Sequence, residues 1–276
     1  MRTRLGKVPV IGRLFRTGTA VPVVRLAGVI GQVPFRGGGL SLKTLEAPLG
    51  QAFRMKAPAV VLAINSPGGS PVQSALIGRH VRRLAVKHDR RVLAFVEDIG
   101  ASGGYWLAAA ADEIFCDRAS LVGSIGVVTS GFGAAEALAK LGIERRLFTA
   151  GKSKTLLDPF SPLREGDVAV LREIQTDLHD AFKDFIRERR AGRLKADEDE
   201  LFNGRVWSGR QALDLGLVDA IADPHDVIAE RFGKDARLTL VNRPRGWLQR
   251  RLRIEGEAAA LASLLEERLH FARYGL

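Results

Sequence analysis

Along this chain apolar residues fall into short unbroken runs, separated by glycine-rich turns and by longer stretches where apolar positions recur every three or four residues. Ala59 to Ile64 is a run of the first kind and predicts a strand covered on both faces; Arg91 to Val96 reads as a buried strand, and Val21 to Ile30, interrupted by Arg25, reads as a first strand. The three-to-four spacing predicts helices over Leu42 to Lys56, Pro71 to Lys87, Tyr105 to Ala111, Ala134 to Leu141 and Glu165 to Arg190. Pro48 should interrupt or kink the first of these, because proline has no N–H to give and its ring crowds the preceding turn. In the second, Val72, Ala75, Leu76 and Val81 are read as facing inward. The last is the longest: Leu171, Ile174, Leu178, Phe182, Phe185 and Ile186 form one apolar stripe, and Gly192 stops it. Shorter strands are expected at Glu113 to Cys116, near Ile125 to Val128 and at Arg145 to Thr149, with a further helix over Trp207 to Leu215 and a terminal amphipathic one over Trp247 to Tyr274. Strands alternating with helices predict an α/β fold of repeated strand-turn-helix units, with mainly parallel pairing.

Composition adds bounds to that picture. The 276 residues are 46% apolar, enough for a full core. The pattern divides them into a basic arm at 1–20, one domain over 21–235 and a basic amphipathic tail at 236–276. The net charge of +11 is concentrated at the two ends. Residues 1–45 hold eight basic residues and no acidic one, and Arg237 to Leu276 holds eight arginines against four glutamates. Such ends are candidates for contact with an anionic membrane surface. Aromatics are not interleaved with the charges in a stacking pattern, so no nucleic-acid partner is expected. No run approaches the ~18–20 apolar residues needed to span a bilayer. Val8-Pro9-Val10-Ile11-Gly12 is too short and broken for a signal-peptide core. The single cysteine, Cys116, allows no internal disulfide and is read as a small core residue; no Cys/His cluster suggests a metal, and no cofactor is expected.

Candidate chemistry centres on Gly100-Ala101-Ser102-Gly103-Gly104-Tyr105-Trp106, which puts a serine between a buried strand and a helix. The amides after it open a helix, where free N–H groups favour negative charge. Two readings stand: Ser102 is a helix cap, or it is a nucleophile whose attack creates an oxyanion. A second glycine turn, Ser66-Pro67-Gly68-Gly69-Ser70, also follows a buried strand, and glycines there let backbone amides approach a substrate carbonyl. Neither turn is a phosphate loop of the G-x-x-x-x-G-K-S/T type. A serine nucleophile needs a base. His80, His88, His179, His225 and His270 follow no glycine turn and are read as surface residues, so no Ser-His-Asp triad is expected. A desolvated lysine amine is the other option, and Gly151-Lys152-Ser153-Lys154 offers two. By spacing alone, either lysine is equally a solvated loop charge.

Five segments, in order, resemble the signal peptide peptidase A family of Ser-Lys peptidases (family S49). They are Asn65-Ser66-Pro67-Gly68-Gly69-Ser70, Ala101-Ser102-Gly103-Gly104-Tyr105-Trp106, Leu121-Val122-Gly123-Ser124-Ile125-Gly126-Val127, Gly151-Lys152-Ser153-Lys154, and Asn203 to Ala212 with Gly216-Leu217-Val218-Asp219. The resemblance covers roughly residues 20–235 and implies a ClpP/crotonase-like fold. It implies Ser102 as nucleophile, Lys154 as general base with Lys152 as fallback, Gly69 and Gly103 as oxyanion donors, and Ser124 as the residue orienting the lysine amine. It further implies a peptide substrate, short and unfolded or apolar, such as a signal-peptide remnant. One copy of each motif implies a homo-oligomeric ring with active sites between protomers. Many members of the family carry an N-terminal membrane anchor; only a basic arm stands here, which implies a cytoplasmic enzyme, at most peripheral on the inner membrane. The rival is a crotonase-like acyl-CoA enzyme or binder, using the same two-amide hole for a thioester enolate. A third reading is a non-catalytic ring scaffold on membranes. The Ser-Gly-Gly turn together with the lysine favours the peptidase.

Overall fold

A computed structural model describes residues 18–31, 39–151 and 153–242, with Phe271, Ala272 and Tyr274. The chain runs β1 (Ala20–Ala27), α1 (Leu42–Arg54), β2 (Ala59–Ser66), α2 (Pro71–His88), β3 (Arg91–Ala101) and α3 (Gly103–Ala109). It continues through β4 (Glu113–Cys116), β5 (Leu121–Gly123), α4 (Ala135–Lys140), α5 (Glu165–Arg189), α6 (Glu198–Leu201), β6 (Val206–Ser208), α7 (Gly209–Asp214), β7 (Ala220–Ile221), α8 (Pro224–Phe232) and β8 (Arg237–Leu240). The sheet order is β6-β5-β3-β2-β1-β8, with β4 beside β3 and β7 beside β4. Every pair is parallel except β5 with β6. This is the mainly parallel α/β architecture that the alternating pattern predicts.

The central strands are apolar on both faces because both faces are covered. On one face Leu26, Leu62, Ile64 and Val92 pack with α1, α2, α3 and α5 into the larger core. Trp106 of α3 stacks on Phe182 and Phe185 of α5, with ring centroids 4.6 and 5.2 Å apart. Each such ring contributes about 1.5–3 kcal/mol by leaving water. On the other face a smaller cluster, including Val61, Leu93, Phe95 and Phe115, is covered by α8 through Val227 and Ile228. Pro48 lies inside α1 without ending it; Ser41 and Thr44 close a capping box at that helix's start.

A buried polar knot fixes α3 against the rest. Arg190, 1% exposed, donates to Asp219 at 2.8 Å and to the Gly216 carbonyl at 3.2 and 2.7 Å. Tyr105 donates its hydroxyl to the Leu217 carbonyl at 2.7 Å, and burial raises its pKa. Both bonds end on Gly216-Leu217-Val218-Asp219, so this segment holds the helix that follows Ser102.

Several local expectations need correction. The strand expected near Ile125 to Val128 lies at Leu121–Gly123, because Gly123 and Ser124 both turn into positive φ (109° and 52°) and end it. Arg145 to Thr149 forms no strand and is exposed; among the described residues no strand pairs with it. Trp207 sits in β6, beside β5, and the helix starts only at Gly209, where Ser208 and Gln211 form a capping box. Val72 is 61% exposed and faces solvent. His80 is buried, with its pKa lowered by burial and then by Arg83. The terminal helix expected over Trp247 to Tyr274 falls outside the described residues except for Phe271, Ala272 and Tyr274. Cys116 is buried in β4 and its thiol is pushed up to about 11 by burial, as suits a core residue.

Candidate active site

The β3 backbone runs straight into Ser102, and α3 begins at the next residue. Ser102 has φ 52° and ψ −121°, a conformation that costs a non-glycine residue on the order of 1–3 kcal/mol. Its side chain makes no capping bond. That removes the helix-cap reading and leaves a strained, reactive-type turn between strand and helix, the geometry in which a nucleophile stands clear of its own backbone. The turn is held from both sides. The Ser102 N–H donates to the Gly123 carbonyl at 2.8 Å, and the Trp106 N–H donates to the Ser102 carbonyl at 3.0 Å.

The first glycine turn is pressed against it. A Cβ on Gly68 would lie 2.7 Å from the Ser102 Cβ and 2.9 Å from the Gly103 nitrogen. A Cβ on Gly104 would lie 2.3 Å from the Ser66 carbonyl oxygen, so α3 seats directly on the end of β2. Gly68 and Gly69 have φ of 104° and 141°, which other residues rarely adopt. The Gly68 carbonyl accepts from the Ile30 N–H and the Ile30 carbonyl from the Ser70 N–H, both at 2.8 Å. Between those two bonds the Gly69 N–H has no backbone acceptor among the described residues, nor has that of Gly103 at the start of α3. Two unused amides thus flank the serine turn, as an oxyanion site needs.

Ser102 and Ser124 line one cleft of about 480 Å³, together with Gly69, His179, Asn203 and Tyr274. Ser124 follows β5 with φ 52°, fixed by its N–H donating to the Arg205 carbonyl at 2.8 Å. Its Oγ lies 3.5 Å from the Tyr274 hydroxyl. His179, on α5, puts Nε2 3.1 Å from the Ile125 carbonyl, one residue beyond Ser124. The described lining holds no carboxylate and no lysine.

The structure therefore brings Ser102, Gly69, Gly103 and Ser124 together, and does not bring Lys154 to them. Lys154 is exposed and is not part of the cleft; its backbone N–H donates to the Gly151 carbonyl at 3.3 Å. Lys152 lies outside the described residues. Residues 128–163, the segment that carries Lys154, expose Phe132 (95%), Phe148 (91%), Leu141 (72%) and Leu163 (72%). The sequence reading missed two participants. Gly68, read as part of a turn, is packed against Ser102. His179, read as a surface residue, faces the cleft; it stands three residues before Phe182 and seven before Ile186, the buried positions of α5, and that spacing is the signal that places it inward.

The family model of peptidase family S49 matches residues 85–237, more than half of the chain, and spans both Ser102 and Lys154. The chain belongs to peptidase family S49. Among curated relatives, a putative signal peptide peptidase SppA of Enterococcus faecium is 32% identical over 65% of this chain and 52% of its own length. A putative protease of Synechocystis is 31% identical over 77% of this chain and 74% of its own length. A Brucella abortus protein named Na(+)/H(+) antiporter NhaA is 45% identical over 96% of this chain, but the match covers only 38% of that protein. This S49 chain thus spans well under two thirds of the length of the antiporter-named protein and of the Enterococcus relative. Among the described residues of the S49 chain no helix is long and apolar enough to cross a membrane.

Proposed function

We propose that this S49 chain, on a ClpP/crotonase-like fold, is a serine endopeptidase working through a Ser-Lys dyad. The observation that carries the reading is Ser102: strained, uncapped, flanked by two unused amides and beside Ser124. Neutral Lys154 takes the Ser102 hydroxyl proton as Oγ attacks the scissile carbonyl. The Gly69 and Gly103 amides receive the oxyanion. The leaving amine takes the proton back from Lys154, and an acyl-enzyme remains. Water, activated by the same lysine, then releases the acyl group. Ser124 accepts from the lysine amine and holds it toward Ser102. The substrate is a short, unfolded, apolar peptide such as a signal-peptide remnant, since an extended chain presents its carbonyl to such a cleft without local unfolding.

The lysine comes from a second copy. The described lining of the Ser102 cleft holds no lysine, while the Lys154 segment projects large apolar side chains into solvent. Exposed apolar surface of that kind marks an interaction face. Ring assembly would bury it and carry Lys154 out of bulk water to the Ser102 cleft of a neighbour. The test is complementation. Ser102→Ala and Lys154→Ala proteins are each inactive on a peptide ester; mixed, they regain activity, because one copy supplies serine and the other lysine. Fluorophosphonate labelling of Ser102 in the parent should rise with pH and with protein concentration. A Lys154→Ala enzyme that hydrolyses and labels like the parent refutes the dyad; a mixture that stays inactive refutes the shared site.

A further inference from the structure

The sheet face opposite the Ser102 helices is covered unevenly. Beside α8 it leaves a cavity of about 1120 Å³, just above the range of ligand-sized pockets. Its floor is apolar: Val61, Ala63, Phe95, Leu238 and Leu240. Its rim is acidic: Glu97, Asp98, Asp117, Asp223 and Asp226. Glu97 and Asp98 reach the rim because β3 bulges there: β2 advances from Ile64 to Ser66 while β3 advances from Val96 to Gly100. Of the five carboxylates, Glu97 pairs with Arg25 at 2.7 Å; the other four form no ion pair with a described residue. Asp117 and Asp223 accept only from nearby backbone, from Ala119 N–H and His225 N–H, and Asp98 accepts from the Asn65 side chain.

We propose that residues 243–254 of this same chain seat in this cavity. Three observations support that occupant over others. The first is position. Asn242 is clamped to the backbone of Arg25, accepting from its N–H at 2.8 Å and donating to its carbonyl at 2.7 Å. Arg25 and Leu240 both line the cavity, so Asn242, the last described residue of this stretch, stands at its mouth. The second is charge. Arg243 to Ile254 contains five arginines and no acidic residue, against a rim with four carboxylates that form no ion pair with a described residue. The third is apolar content. Trp247, Leu248, Leu252 and Ile254 are large enough to fill an apolar floor, and arginine stems lie along apolar surface with their heads at the rim. The N-terminal arm is also basic but joins β1 at Ala20, five residues before the Arg25 mouth and roughly 17 Å away at strand rise. The seated segment completes the cover that α8 begins and buries the underside of the strand that carries Ser102. This inference does not depend on the dyad.

The test replaces Trp247 by the photocrosslinker p-benzoylphenylalanine in the full chain and maps the adducts by mass spectrometry. Adducts should fall on β1, β2, β3, β8 or α8 of the same chain, at a yield independent of protein concentration. Asp226→Lys should lower that yield about fivefold, as removal of one ion pair at a partly exposed site implies. Arg250→Glu with Arg251→Glu should lower it likewise, and combining these changes should restore it, which separates docking from misfolding. Adducts between chains, adducts elsewhere on the chain, or no adducts overturn the proposal. So does crosslinking to phosphatidylglycerol vesicles in place of the cavity.

Discussion

Substituting Gly68 by alanine tests whether the first glycine turn shapes the nucleophile. Two effects add. Gly68 has φ +104°, and alanine there costs on the order of 1–3 kcal/mol in backbone strain. The new methyl would also lie 2.7 Å from the Ser102 Cβ, 2.9 Å from the Gly103 nitrogen and 3.0 Å from the Ala101 carbonyl oxygen. Two of those three atoms are backbone, tied to β3 and α3, and cannot swing aside. The expected loss of stability is roughly 2–4 kcal/mol, or a fall in Tm on the order of 5–15 °C for a domain of this size. The turn must also shift by several tenths of an ångström; a full ~1 Å displacement of a reacting group costs on the order of 100-fold in rate, so a loss of roughly 10-fold is expected here. The assay pairs thermal unfolding with fluorophosphonate labelling of Ser102 well below Tm. Gly166→Ala is the control: a Cβ there meets nothing within 4 Å, so it should lower neither. A Gly68→Ala protein that folds and labels at the parental rate would refute the contact and the role of the turn.

Further outcomes follow from other parts of the structure. His179→Ala removes the partner of the Ile125 carbonyl and should lower kcat about tenfold with KM little changed, while His179→Asn, which keeps a donor, should recover part of the loss. Arg190→Ala should destabilise by roughly 3–5 kcal/mol in urea unfolding, because it strips Asp219 and the Gly216 carbonyl of a buried donor. Two hydrogen bonds from Arg231, at 2.7 and 2.6 Å, hold the Glu113 carboxylate below its ordinary value of 4.5. A depressed folded pKa gives stability that is complete above 4.5 and is lost as pH falls through the lower folded value. Unfolding measured across that window should show the gap between parent and Glu113→Gln closing as the pH drops.

Much of the layout is legible in the sequence because it rests on local rules. Unbroken apolar runs at Ala59 to Ile64 and Arg91 to Val96 can only be strands buried on both faces, and the glycine turns after them mark the carboxyl edge of the sheet. Ser102 stands out as a candidate, but its choice between cap and nucleophile does not. That choice lies in a φ of 52° and an empty cap, which depend on Gly68 and Gly123 packing from elsewhere in the chain. Trp207 reads as helix because Ser208 to Leu215 follows it; its strand state comes from pairing with Val122, a partner 85 residues away. Arg145 to Thr149 has the composition of a strand, but among the described residues no strand pairs with it. His179 is hidden by its charged neighbours, although its spacing to Phe182 points inward.

Strand β3 forks the sheet, and the fork has a thermal consequence. Its first half, Leu93 to Val96, is flanked by β4, while its last residues, Ile99 to Ala101, are flanked by β5. The Ser102 N–H is tied to the second branch, through the Gly123 carbonyl, and that branch ends in two three-residue strands. Short ladders open at lower free energy than the long β1-β2-β3 ladder beside them. Two stages of melting are therefore expected for the described sheet. On warming, the branch under the serine loosens first, and activity fades at temperatures where the main sheet is still intact.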